Sequence, residues 1–295
     1  MRGLLLLAAL TAFSAAPMAT LAQPVSLPPA VFTDPASDTA NPPRMEVLHI
    51  PSGGVEINGV AYLAGGAGRH PTVVLLHGLP GNEKNLDLAQ AIRRAGWNVV
   101  TFNYRGSWGS PGTFSFEGNL ADAKAVLAYL RDPAHASSLR IDTTRLVIAG
   151  HSMGGWVSAL TSAQDPGLAG TILISAADMG GQGATAAAKT AVVKSMAGNM
   201  ESLAGTSPEK MADEVIGLTP RLSFNAQVAR GLAGKPLLVL TSDDGLAPGA
   251  EKLAKAVQDA GGRSVTVRHE ATDHGWSGRR IALEAAVISW LAELK

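Results

Sequence analysis

Beyond Met45 the chain alternates between two patterns of apolar and polar positions. Short, continuous apolar runs occupy Thr72–Leu76, Val99–Phe102, Arg145–Ala149, Thr171–Ile174, Leu237–Leu240 and Val265–Val267. Runs of this length without polar alternation predict strands covered on both faces of a parallel sheet. Between them, Leu86–Ala95, Asn119–Leu130, Gly155–Ala163, Gly249–Ala260 and Arg280–Leu294 carry apolar residues at helical spacing. Strands separated by helices predict right-handed crossovers and an open, mostly parallel, doubly wound α/β sheet. Ahead of this series, Glu46–Ile50 and Val55–Leu63 flank Pro51-Ser52-Gly53-Gly54 and predict a hairpin, with glycine supplying the positive φ of its turn.

One connection breaks the alternation. About sixty residues separate the strand ending near Ser175 from the one starting near Pro236, against the ~2–6 of an ordinary βα loop. Val192, Met196 and Met200 fall on one helical face there, and the segment also holds Met179 and Met211. The segment, about 176–234, is predicted to be a helical cap inserted between the sixth and seventh strands, over the sheet's carboxyl edge. Its methionines suit an adaptable apolar pocket or the packing of the cap's own helices. A single domain is thus expected over 45–295, with the cap inside it.

The start of the chain follows a different pattern. Arg2 precedes a run from Leu4 to Phe13 that is apolar apart from Thr11, and small residues surround Ala19, Thr20 and Ala22. This is the layout of a cleaved export signal over residues 1–22, and the run is shorter than the ~20 residues that span a bilayer. The expected location is therefore periplasmic or secreted, without stable membrane insertion. Residues 23–44 are rich in proline and predict an extended, loosely held lead-in.

Composition narrows the function. Lys+Arg and Asp+Glu are equal at 24 each, which argues against a nucleic-acid partner because non-specific binding to phosphates needs a basic surface. With no cysteine in the chain, disulfides, thiol nucleophiles and cysteine metal sites are all excluded. His269 and His274 are spaced by five, not the four that sets two metal ligands on one helical face.

Gly150-His151-Ser152-Met153-Gly154 follows one predicted strand and precedes a helix. A serine hydroxyl is a weak nucleophile, and a tight strand-to-helix turn presents it clear of its neighbours only if small residues flank it. The same turn aims the Met153 amide and the helix amino end at a developing oxyanion. A second amide is expected from Leu79, in His77-Gly78-Leu79-Pro80-Gly81-Asn82 after the Thr72–Leu76 strand; His77 itself is taken to pack. For the base, His274 lies in a loop past the last strand, at the edge where open α/β sheets bind ligands. His269, at the end of that strand, is the competing candidate, and His151 is taken as structural. For the acid that orients the base, Asp244 and Asp243 both follow the Leu237–Leu240 strand, with Asp178 a third candidate. Tyr104 and Trp108, in Asn103-Tyr104-Arg105-Gly106-Ser107-Trp108, line the substrate pocket or pack beneath it.

These segments, together with Asp273-His274-Gly275, resemble the α/β-hydrolase superfamily from about Met45 to the end of the chain. Asn-Tyr-Arg-Gly-Ser is similar to its dienelactone-hydrolase-like and prolyl-oligopeptidase-related branches. The resemblance implies an α/β-hydrolase fold in which Ser152 attacks an ester or amide carbonyl, His274 serves as base and then acid, and Asp244 orients it. It also implies no metal and no organic cofactor. A carboxylesterase acting on a small-molecule ester is the leading expectation, and a serine exopeptidase or amidase the alternative. A free amino terminus would need pocket carboxylates, for which Glu201, Glu209, Asp213 and Glu214 are the cap's candidates.

Overall fold

A computed structural model describes residues 27–181 and 185–294; the expected export signal lies outside them. Eight strands form one sheet, β1 (Arg44–Ser52), β2 (Val55–Leu63), β3 (His70–Leu76), β4 (Asn98–Phe102), β5 (Ile141–His151), β6 (Gly170–Ile174), β7 (Leu237–Thr241) and β8 (Val265–His269). Their spatial order is β1-β2-β4-β3-β5-β6-β7-β8. β1 and β2 pair antiparallel about the Gly53–Gly54 turn, β2 pairs antiparallel with β4, and every later pair is parallel. The exchange of β3 and β4 in the order makes the crossovers run to both sides, which sets the loops after β3 and β5 side by side.

Helices cover both faces. On one lie α1 (Leu86–Arg94) and α9 (Arg280–Glu293); on the other lie α2 (Phe116–Arg131), α4 (Met153–Ala163) and α8 (Ala247–Asp259). Successive residues of one strand serve the two layers: Val73 and Leu75 pack with Ile92 and Trp290, whereas Val74 and Leu76 pack with Val126 and Trp156. This double coverage is why β3, β6 and β7 read as unbroken apolar runs. β8 departs from that expectation, since it is an edge strand with Val267 exposed.

Several elements extend past their apolar pattern. β5 begins at Ile141 and continues through His151, and α2 starts three residues early because the Ser115 hydroxyl caps the Gly118 amide. A short helix, α3 (Pro133–Ser138), escaped the periodicity altogether. Its signal is local: Asp132 accepts from the amides of Ala134 and His135, and Pro133 occupies the first turn. The lead-in is held rather than loose where it is described. Arg94 donates to the carbonyls of Ala30 and Val31 at 2.6 and 3.2 Å, and the Gly66 amide donates to Asn41 O.

Between β6 and β7 the chain forms α5 (Lys189–Ala197), α6 (Pro208–Leu218) and α7 (Ala226–Leu232). α6 packs through Met211, Ala212, Val215 and Leu218. α5 buries Met196 and leaves most of its length exposed. The segment is stitched to the loop after β4 by backbone bonds, Ala204 donating to Gly106 O while Trp108 donates to Ser202 O. Among the described residues no helix is long and apolar enough to cross a membrane.

Candidate active site

Ser152 occupies the single residue between β5 and α4, with φ 57 and ψ −122. A non-glycine residue in this region stores roughly 1–3 kcal/mol of strain, which the surrounding structure must hold. The neighbours show how. A Cβ at Gly150 would come within 2.1 Å of Gly154 O, and one at Gly154 within 2.5 Å of Leu76 O. Only hydrogen at both positions lets the turn close against β3. The Ser152 amide donates to Ile174 O and the Ala177 amide to Ser152 O, tying the turn to β6.

The loops after β3, β7 and β8 converge on this serine. His274 Nδ1 lies 2.7 Å from Asp244 Oδ2; a carboxylate accepts only, so Nδ1 carries the proton and Nε2 is left as the basic nitrogen. The Asp244 side chain is 4% exposed and that of His274 41%. Burial works to raise the Asp244 pKa, but hydrogen bonds from His274, the Leu246 amide and Ser242 outweigh it and hold the carboxyl below its ordinary value. The Ser152 hydroxyl lines the same small cavity as His274, without a hydrogen bond between them. In unliganded sites such contacts are commonly long and tighten when substrate binds.

The two competing candidates pair with each other. His269 Nε2 donates to Asp243 Oδ1 at 3.1 Å, with side chains 45% and 63% exposed, and its Nδ1 accepts from the Thr241 hydroxyl. Both lie at the solvent side of the sheet edge. Asp178 is engaged elsewhere, accepting from the amides of Gly181 and Phe224 and so bracing the entry of the cap segment.

Residues with no expected chemistry position the site. His151 Nε2 donates to the His274 carbonyl at 2.8 Å, and Arg280 donates to Gly275 O and pairs with Asp87. The Trp276 indole N–H donates to Ser175 Oγ, which is bonded in turn to Ser242 Oγ. This Trp276–Ser175–Ser242 chain fixes the loops carrying His274 and Asp244 to β6; the sequence holds no local signal for it. His77 donates from Nδ1 to Gly78 O at 2.8 Å and shapes the loop before Leu79.

Burial pushes the pKa of both His77 and His151 down to about 4, with the charge of His274 adding to the effect at His151. In the unfolded chain each would titrate near ~6.5. Between those values the unfolded state holds more protons, so stability is complete above about pH 6.5 and is lost as pH falls toward 4, by up to roughly 3 kcal/mol per histidine. His77→Gln is expected to flatten this acid slope in denaturant titrations from pH 7 to 4. A slope equal to that of the wild type would contradict the assignment.

Tyr104 and Trp108 do not line either cavity at Ser152. Tyr104 is fully buried; its hydroxyl donates to His77 O at 3.3 Å and its ring packs on Phe102 and His77. Trp108 turns outward, 39% exposed, donating from its indole to Pro80 O while Lys84 sits over its ring. The pocket expectation for both is thus corrected, because Tyr104, two residues past the end of β4, is buried in the core, and Trp108 is held outward by its indole bond to Pro80 O.

Two cavities adjoin the serine. One of about 390 Å³ has an apolar wall of Met153, Met179, Val192, Met196 and Val215, with Ser195 and Asn199 as its polar side chains. The other, about 190 Å³, lies along residues 78–83 and reaches His151, His274 and Gly275. Leu79 borders both, and among the described residues neither its amide nor that of Met153 has an acceptor. Met179 and Met196 face the larger cavity, whereas Met211 packs inside the cap segment. No group of three or more histidine, aspartate or glutamate side chains suited to a metal occurs among the described residues.

A serine strained between a strand and a helix, at the carboxyl edge of a mostly parallel sheet, defines a hydrolase of the α/β class. The chain belongs to the alpha/beta hydrolase family, whose model matches residues 73–286. An uncharacterised protein of Mycobacterium tuberculosis is 28% identical over 133 residues, which are 45% of this chain and 46% of that protein. The chain thus spans less than half the length of this curated relative. Among solved structures, the carboxylesterase EstE1, thermophilic and cloned from a metagenomic library, superposes with a TM-score of 0.64 at 20% identity, covering 90% of this chain and 92% of that one. The acylaminoacyl peptidase of Pyrococcus horikoshii gives 0.60 at 17% identity, covering 85% of this chain and 42% of that one. At these identities the likeness is one of fold.

Proposed function

We propose that this hydrolase cleaves a carboxylic ester through an acyl-enzyme on Ser152. The observation that carries the reading is that the strained Ser152 shares a cavity with His274, whose Nδ1–H is bound to the buried Asp244 at 2.7 Å. His274 Nε2 takes the hydroxyl proton as Ser152 Oγ bonds to the carbonyl carbon, and the oxygen that gains the negative charge is held by the Leu79 and Met153 amides. When the tetrahedral adduct collapses, the C–O bond to the alcohol breaks and His274 returns the proton to the departing oxygen. Water, deprotonated by the same nitrogen, then attacks the acyl carbon, and Ser152 leaves with its proton restored. Asp244 holds the tautomer throughout and stabilises the imidazolium.

The alternative, an exopeptidase or amidase, is favoured by the peptidase fold likeness but not by the pocket. Among the described residues, no acidic side chain lines the larger cavity. In the cap segment, Asp213 pairs with Lys189 and Glu214 accepts from the Glu117 amide. The test is a comparison of nitrophenyl esters of graded acyl length with aminoacyl arylamides. Ester turnover is expected to exceed arylamide turnover by at least about a hundredfold; the reverse order would replace the esterase reading with the amidase one. We further propose that the enzyme acts after export, on the pattern of residues 1–22.

A further inference from the structure

The two cavities at Ser152 differ in their relation to His274. The larger one touches Ser152 but not His274, whereas the smaller one is lined by both. The chemistry, on the serine-hydrolase reading above, then assigns each a part of the substrate. The histidine must protonate the departing oxygen, so the alcohol occupies the cavity that His274 lines. The acyl chain, the other substituent of the reacting carbon, takes the cavity that His274 does not reach.

Size and polarity define both parts. At roughly 30 Å³ per water-sized group, the 390 Å³ cavity holds about thirteen such groups, enough for a medium-length acyl chain, and its wall of Met153, Met179, Val192 and Met196 is apolar, with Ser195 and Asn199 its polar side chains besides Ser152. The 190 Å³ cavity holds about six heavy atoms on the same scale and presents Asn82 and Glu83. Glu83 puts an anion on the alcohol side. Glu83 Oε1 accepts from the Asn85 amide and lies 4.0 Å from Arg280, which is itself paired with Asp87. Lys84 is held apart from the cavity, donating to Asn103 Oδ1 and lying over Trp108. A phosphate headgroup would meet this carboxylate, whereas a neutral polyol would hydrogen-bond to it.

We infer that the substrate is an ester of a medium-chain fatty acid with a small, uncharged, hydroxylated alcohol of glycerol size. Val192 and Met196, on α5, limit the chain, and Glu83 selects against anionic headgroups.

The test uses the purified full chain and compares acetyl-, decanoyl- and hexadecanoylglycerol with decanoyl lysophosphatidylglycerol. Decanoylglycerol is expected to exceed each of the others by tenfold or more in kcat/KM. Met196→Trp, which fills the cavity, is expected to lower the decanoyl-to-acetyl ratio by roughly a hundredfold, the effect of excluding about four methylenes. Val192→Ala is expected to move the optimum to a longer chain, and Glu83→Gln to raise the lysophospholipid-to-glyceride ratio about fivefold. Cooperative thermal unfolding of each variant establishes that it is folded. A flat chain-length profile, or ratios unmoved by both α5 substitutions, overturns the acyl assignment, and preference for the lysophospholipid overturns the alcohol assignment. Labelling of Ser152 by a fluorophosphonate without turnover of any of these esters overturns the substrate inference and leaves the serine mechanism standing. Absence of both labelling and turnover removes the mechanism and the inference together.

Discussion

Ser152→Ala is expected to lower ester kcat/KM by about 10⁴-fold or more while leaving the fold intact, because in the proposed mechanism the Ser152 oxygen forms the acyl bond. The substitution removes one oxygen, and the backbone bonds that tie the turn to the β6 region, from the Ser152 amide to Ile174 O and from the Ala177 amide to Ser152 O, remain. Alanine adopts φ 57 no less readily than serine, so the strain of the turn is unchanged and the unfolding midpoint should move little. The Leu79 and Met153 amides and both cavities remain, so in the proposed mechanism KM should change far less than kcat, and the residual rate should be that of water attack assisted by those amides. Octanoyl nitrophenyl ester hydrolysis, with a fluorophosphonate probe as a second readout, measures both effects. Turnover within tenfold of the wild type would show that Ser152 is not the nucleophile.

Asp244→Asn and Asp243→Asn should differ by about three orders of magnitude, although the residues adjoin. Asparagine at 244 can turn its amide N–H₂ toward His274, which favours the tautomer with the proton on Nε2 and blocks that nitrogen as a base; a loss of roughly 10³–10⁴ in kcat follows. The buried position gives no solvent route by which another acceptor could replace the carboxylate. Asp243 pairs only with His269, at the exposed edge, where such a solvent-exposed contact contributes about 0–1 kcal/mol to stability. Asp243→Asn should therefore stay within about threefold of the wild type. The pH dependence has a fixed sign. Because the Asp244 carboxyl is held below its ordinary value, the ionised form persists as pH falls past the usual carboxylate range, and its contribution is lost only below that range. Steady-state kinetics of the two variants decides the assignment: an inactive Asp243→Asn beside an active Asp244→Asn would reverse the roles of the two aspartates.

Much of the architecture is legible in residues close together along the chain. Apolar runs on β3, β6 and β7 follow from cover on both faces, and the turn at Ser152 follows from Gly150 and Gly154, whose backbone hydrogens alone fit against neighbouring carbonyls. Where the apolar pattern was silent, the missing information was still local, as at the Asp132 cap that starts α3. The edge position of β8 was not legible, because a five-residue strand looks the same in sequence whether one or two strands flank it.

The sequence by itself determined the class of sheet, the place of the strained serine, the insertion between β6 and β7, and the short set of residues that could serve it as base and acid. These depend on period, glycine placement and chain order, all short-range properties. Only the tertiary structure decided which aspartate meets which histidine, that Tyr104 belongs to the core and Trp108 to the outer side of the loop at Pro80, and that two cavities of different character meet at Ser152. Each of those depends on the direction a side chain takes from a turn and on the register of strands distant in sequence. Asp243 and Asp244 lie in the turn after β7, where successive side chains leave the backbone in different directions, so adjacent aspartates become a buried partner of His274 and an exposed partner of His269.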